Sequence, residues 1–199
     1  MTVRIGVISG SIRQGSHNMA LAALGAERVR AAGAEAEMVD LSTYDLPLYS
    51  QDLELRACPP DARRLKATLV ACDGLLIATP EHNGTISALL KNAIDWASRP
   101  SDGESPIALT AYRGKAAGIM AASIGPFGGM RALAHLRQVL GTIQMMVVPE
   151  QLAVPLAGNA FTAEGALADP LANAILDGLA ARLVDVSTRL RVAPEGGSA

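Results

Sequence analysis

The chain of 199 residues is short of several things, and each shortage closes off a class of protein. It has only two cysteines, Cys58 and Cys72, too far apart for a CxxC redox or zinc motif. They read as free thiols, so disulfide-dependent folding is not expected and a reducing cytoplasm suits the chain. No stretch approaches the roughly 20 apolar residues needed to span a bilayer. The apolar run in "MTVRIGVISGS" is too short for a signal-peptide core and lacks a small-residue cleavage site. Net charge is only -2, so no broad basic field draws in nucleic acid or an anionic membrane, although a few residues can still build a local anion site. His17, His82 and His135 lack metal-ligand spacing, and HExxH and a G-x-S-x-G elbow are both absent. Neither a metal centre nor nucleophilic hydrolysis is expected, and His135 reads as a structural residue within a helix.

What is present is a globular composition, 50% hydrophobic and 18% charged. A single domain over 1–191 is expected, able to bury roughly 70% of its unfolded surface, with a frayed tail at 192–199. Strand and helix signals alternate throughout. "VRIGVI" (3–8) is apolar on both faces, as a strand covered on each side by helices must be. Helix-forming residues at 18–32 stop before Gly33. Further strands are predicted at 35–41, 74–80, 115–123 and 142–148. Further helices follow Pro59-Pro60 over 61–72, carry an apolar stripe over 86–98, and space Leu133, Leu136 and Leu140. The last helix starts at Asp169-Pro170, an N-cap followed by proline at the first helical position. Five strands alternating with helices require right-handed crossovers and a parallel sheet. A three-layer α/β fold of the flavodoxin-like type is therefore expected, with strand order 2-1-3-4-5. Ligands of such sheets sit beyond the carboxyl ends of the strands, which singles out the loops 9–18, 80–85 and 123–129.

The first loop, "SGSIRQGSHN", joins a strand directly to a helix. Unpaired N–H groups and the helix dipole favour an anion there, Ser11, Ser16 and Asn18 add short polar groups, and Arg13 supplies a fork suited to phosphate. Gly10 and Gly15 match half of a nucleotide-triphosphate loop, but Ser16-His17 replaces its lysine and hydroxyl; G-x-G-x-x-G is absent too. A single terminal phosphate fits best. The plainer alternative is a loop whose Ser and Asn merely cap the helix, which explains Asn18 and leaves Arg13 unexplained. His17 reads as a solvated flank, with a phosphate contact as the alternative. In the second loop, Pro80 stiffens the strand exit and Asn83-Gly84 can take positive φ and turn N–H groups outward to the edge of a flat ring. The third, "SIGPFGGM", is again glycine-rich. Each could be an ordinary turn alone; together on one sheet edge they describe a mononucleotide.

With those residues in view, the chain resembles the NADPH-dependent FMN reductase family, which includes quinone, chromate and azo-dye reductases. "GSIRQGSHN" is similar to its phosphate loop and "PEHNGTISALLKNAIDW" to its flavin-ring loop and following helix. "YDLPLYSQDLE", "GGMRALAHLRQVL" and "AFTAEGALADP" are also similar to family segments. The resemblance implies that Ser11, Arg13, Ser16 and Asn18 hold the FMN phosphate. It implies that Pro80, Glu81, His82, Asn83, Gly84 and Thr85 border the isoalloxazine, and that Ser123 and Gly125 approach from the third loop. It further implies NAD(P)H as co-substrate, a small-molecule electron acceptor, and a homodimer or homotetramer with the flavin near the subunit interface. Glu81 reads as shaping its loop or pairing across that interface, and no catalytic acid or base is nominated. His82 stands where the family has tyrosine, exchanging ring area for a group that titrates near neutrality; Thr85 replaces serine and keeps the hydroxyl. A flavodoxin-like electron carrier is the alternative, but its characteristic T/S-x-T-G-x-T loop is absent.

Overall fold

The computed structural model describes residues 2–101 and 103–191. Its five strands, β1 (Arg4–Ser9), β2 (Glu35–Val39), β3 (Gly74–Ala78), β4 (Ala116–Ala122) and β5 (Met146–Val154), form one parallel sheet ordered β2-β1-β3-β4-β5. Among the described residues the six α-helices are α1 (His17–Ala31), α2 (Gln51–Ala57), α3 (Pro60–Val70), α4 (Ala88–Ala97), α5 (Met130–Thr142) and α6 (Pro170–Leu190). This is the flavodoxin-like architecture expected from the alternation of signals. The tail at 192–199 lies outside the described residues. Among the described residues, no helix is long and apolar enough to cross a membrane.

Side chains alternate across each strand and so feed two cores. Ile5, Val7, Leu76, Met120 and Ala122 meet α1 and α6 on one face. Ile8, Leu75, Ile77, Ile119 and Ala121 meet α3, α4 and α5 on the other. The β3 and β4 segments are buried along their whole length, which is why they read as continuous apolar runs. Most helix starts have a chemical cause. Ser16 accepts from Asn18 N–H at 3.2 Å, Ser87 from Leu90 N–H at 3.2 Å, and Asp169 from Leu171 N–H at 2.9 Å.

Two elements depart from the sequence expectation. α2 lies between the strand predicted at 35–41 and the helix predicted at 61–72, where no element is expected; its seven residues bury no side chain fully, so it leaves no helical stripe to read. β5 starts at Met146, because α5 and its C-cap at Ile143 occupy the residues assigned to the strand's beginning. It also continues past Pro149. Ala117 pairs with Val147 and Ile119 with Gln151, so β5 bulges opposite β4. Arg137 holds the bulge, donating to Val147 O at 3.2 Å, Val148 O at 2.9 Å and Gln151 Oε1 at 2.9 Å. A proline is tolerated here because the irregular segment asks less of its missing N–H.

Candidate active site

The carboxyl ends of β1, β3 and β4 open onto one cavity of about 500 Å³, within the range of about 300–1,000 Å³ usual for small-molecule sites. Ser11, Arg13, Ser16, His17 and Asn18 line one side, Pro80, Glu81 and His82 a second, and Ser123 with Ile124 a third.

The β1–α1 loop is built largely from its own hydrogen bonds. Ser9 Oγ accepts from Ser11 N–H at 3.2 Å, and Ser11 Oγ accepts from Arg13 N–H at 3.4 Å. The exposed Arg13 guanidinium turns back to donate to Gln14 O at 3.0 Å and Gly15 O at 3.2 Å. Ser87 ties the loop to α4: while capping that helix, its hydroxyl also donates to Gly10 O at 2.5 Å. Asn18 is buried, with both side-chain groups engaged by β4. Its Nδ2 donates to Ala122 O at 2.8 Å and its Oδ1 accepts from Ala122 N–H at 2.9 Å.

The second wall is a tight turn. His82 and Thr85 exchange backbone hydrogen bonds at 2.9 and 3.0 Å, with Asn83 at φ 51° and Gly84 at φ 81° between them. Two consecutive positive φ values are what a two-residue type I′ turn demands, and Asn-Gly is the pair that supplies them. Behind the turn, Arg131 of α5 donates to Glu81 Oε1 at 2.7 Å, joining the second loop to the helix that follows the third. In the third loop Ser123 Oγ accepts from Gly125 N–H at 3.2 Å, and Ser123 N–H donates to Val154 O at 3.1 Å.

Eight of the twelve residues singled out in the sequence therefore share the cavity lining: Ser11, Arg13, Ser16, Asn18, Pro80, Glu81, His82 and Ser123. Asn83 and Gly84 form the tip of the turn, Gly125 sits behind Ser123, and Thr85 lines a neighbouring groove between α4 and α5. Ile12, Ser87, Ala88, Leu89, Ala122 and Ile124 also line the cavity and were not singled out. For most of these the sequence holds no chemical signal; Ser87 alone carried one, as the polar residue before a helical stripe.

Residues 3–159 match the family model described as NADPH-dependent FMN reductase. The chain belongs to that family. A curated NAD(P)H-dependent FMN reductase of Pseudomonas aeruginosa is 41% identical over 170 residues, covering 85% of this chain and 86% of that one. A 2-hydroxy-1,4-benzoquinone reductase of a Burkholderia species is 38% identical, covering 74% and 75% respectively. Among solved structures, the flavoenzyme NAD(P)H:(acceptor) oxidoreductase FerB of Paracoccus denitrificans superposes with a TM-score of 0.80 at 28% identity, over 94% of this chain and 98% of that one.

Membership makes the chain an oxidoreductase that uses FMN and takes electrons from NAD(P)H. The cavity suits that cofactor in shape and donor chemistry. Hydroxyls, a guanidinium and the N-terminus of α1 stand at one end, where a phosphate needs donors and positive potential. A stiff backbone turn stands at the other, with Ile124 and Leu89 offering apolar surface between.

Proposed function

We propose that this cavity seats FMN across the three loops and that the bound flavin passes electrons from NAD(P)H to a quinone-class acceptor. The observation that carries the reading is the convergence of the Arg13 loop and the Asn83-Gly84 turn on one cavity beyond the strand ends. In this reading Ser11, Arg13 and Ser16 take the phosphate with the first N–H groups of α1. Pro80, Glu81 and His82 border the ring, the turn Asn83-Gly84-Thr85 holds that border in shape, and Ser123 with Gly125 closes the third side. Asn18 acts through position: with both side-chain groups engaged by Ala122, it fixes the start of α1 against the end of β4.

FMN supplies hydride acceptance and donation, so the protein's work is to bind, orient and exclude water, and no side chain is assigned as acid or base. A bound phosphate would replace Gln14 O and Gly15 O as the acceptors for Arg13, gaining charge-assisted bonds in exchange for neutral ones. The acceptor class is supported by the relatives named as quinone reductases and by exposed apolar side chains at this sheet edge, Ile12, Ile124, Phe127 and Met130. The same surface supports a homodimer or homotetramer with the flavin near a subunit interface. Free flavin, azo dyes and chromate would reach the flavin by the same route. We place the protein in the cytoplasm, as its two free thiols favour, with residues 1–191 acting as one flavin-binding domain.

The test is direct. Purified protein should show a flavin absorbance spectrum that bleaches on mixing with NADH or NADPH and recovers when a quinone is added. Protein that neither carries nor takes up FMN, and oxidises no NAD(P)H with a quinone, refutes the reading.

A further inference from the structure

His17 is unused by the phosphate grip just described, although it opens α1 and lines the cavity beside Arg13 and Ser16. Its imidazole lies nearly parallel to the Phe161 ring, with centroids 6.0 Å apart and planes 7° from parallel. Phe161 is itself fixed. It bridges to Leu167, Thr162 N–H donates to Ala166 O at 2.8 Å, and Gly165 N–H donates to Thr162 O at 3.0 Å. The small hairpin 161–167 thus holds an ionisable ring at the end of the cavity where Arg13 stands. Stacking alone would not require an imidazole, since a phenyl ring would stack on Phe161 as well.

We propose that His17 is a proton-dependent ligand for the terminal phosphate of the flavin, favouring the phosphorylated cofactor over riboflavin while its ring is protonated. This rests on the reading of the cavity as the FMN site. Imidazole takes up a proton between about pH 5 and 8, and a phosphate monoester loses its second proton near about pH 6. Arg13 brings one positive charge to a group that carries nearly two negative ones. Protonated His17 brings the second, together with an N–H donor. Without the anion, the N-terminus of α1 opposes a positive ring; with the anion present, that opposition is outweighed. The other charged or titratable groups on the bordering elements are Arg13 in its own loop, Glu81 and His82 on the opposite wall, Glu164 in the hairpin and Asp169 before α6. Glu81 is engaged by Arg131, and Asp169 caps α6. Farther along α1, Arg28 and Asp177 of α6 pair with each other.

The experiment titrates the flavin-stripped full chain with FMN and, separately, riboflavin, following flavin fluorescence at about pH 6 and about pH 9, either side of imidazole titration. Wild type is compared with His17→Phe, which keeps the stack, and with His17→Gln, which keeps a donor but cannot be charged. On going from the acidic to the alkaline condition, wild type should lose about fivefold more FMN affinity than either variant, the scale of a partly exposed ion pair. Riboflavin affinity should be the same in all three. Equal FMN profiles in wild type and both variants would overturn the proposal, as would a matching loss of riboflavin. Failure of the wild type to bind FMN at either pH would sink the cofactor-site reading and this proposal with it, whereas firm FMN binding with an unaltered profile sinks the role of His17 alone.

Discussion

Asn18 and Ala122 stand 104 positions apart and exchange a reciprocal pair of hydrogen bonds, carboxamide against peptide, at 2.8 and 2.9 Å. The pair joins the first turn of α1 to the last residue of β4, so the first and third loops of the cavity share one anchor. Replacing Asn18 by Ala leaves a buried N–H and C=O without partners. We expect a loss of about 1–3 kcal/mol of stability, read as a lower denaturant midpoint, together with weaker FMN binding. A variant with unchanged midpoint and unchanged flavin affinity would show the anchor to be dispensable.

The Arg13 side chain is exposed and, among the described residues, bonds only to carbonyls of its own loop. Arg13→Ala should therefore leave the melting temperature of the flavin-free chain nearly unchanged. It should weaken FMN binding by roughly 1.5–3 kcal/mol, the scale of a hydrogen bond to a charged group. Equilibrium titration with FMN measures this, and unaltered affinity would remove Arg13 from the phosphate site.

Gly84 and Gly129 separate backbone strain from steric exclusion. Both have positive φ, 81° and 87°, but an added Cβ at Gly84 meets nothing within 4 Å, whereas at Gly129 it would stand 2.6 Å from Ala121 Cβ. Gly84→Ala should cost about 1–2 kcal/mol, the strain of a left-handed backbone for an L side chain. Gly129→Ala should cost visibly more in the same urea titration, because α5 must move off β4. Equal costs would mean that the helix yields freely.

Two groups contribute slopes of definite sign to the stability curve. Glu104 is held down at about 2, chiefly by its hydrogen bond from Lys66 and then by Ser101 N–H. Its carboxyl thus takes up a proton later than in the unfolded chain, so its contribution is full above its ordinary 4.5 and fades as pH falls toward 2. Burial lowers Lys115 to about 8 from an ordinary 10.5. At that side chain the folded chain then holds fewer protons than the unfolded one, so stability should rise from about pH 8 until, above the ordinary 9.0 of Cys72, the buried thiol that is pushed up to about 11 works the other way. Thermal melts of Glu104→Gln should lose part of the acid dependence, and Lys115→Met should flatten the alkaline rise. Slopes identical to wild type would contradict both assignments.

The legible parts of the molecule were those whose burial writes a pattern into the residues. β3 and β4, covered on both faces, show as unbroken apolar runs, and Asp169-Pro170 marks the start of α6 to the residue. The flat, unburied α2 writes none. The strand predicted at 142–148 overlaps the end of α5 and stops short of Pro149, because the Arg137 side chain that lets β5 run on through its bulge comes from another element. At the site, side-chain type announced Arg13 and the Asn83-Gly84 turn, but partner choice was invisible. Nothing local says that Asn18 reaches Ala122, or that Phe161 comes to rest on His17.

The turn between His82 and Thr85 is closed by two backbone bonds that involve no ligand, whereas the Arg13 guanidinium at the opposite end of the cavity is latched only onto Gln14 O and Gly15 O of its own loop. The cavity thus has one wall fixed by its backbone and another whose charged side chain has only two neutral bonds to give up. In the proposed seat, Arg13 would exchange those two carbonyls for the flavin phosphate. The rate at which flavin leaves should then follow changes to that latch and be nearly blind to the rigidity of the turn.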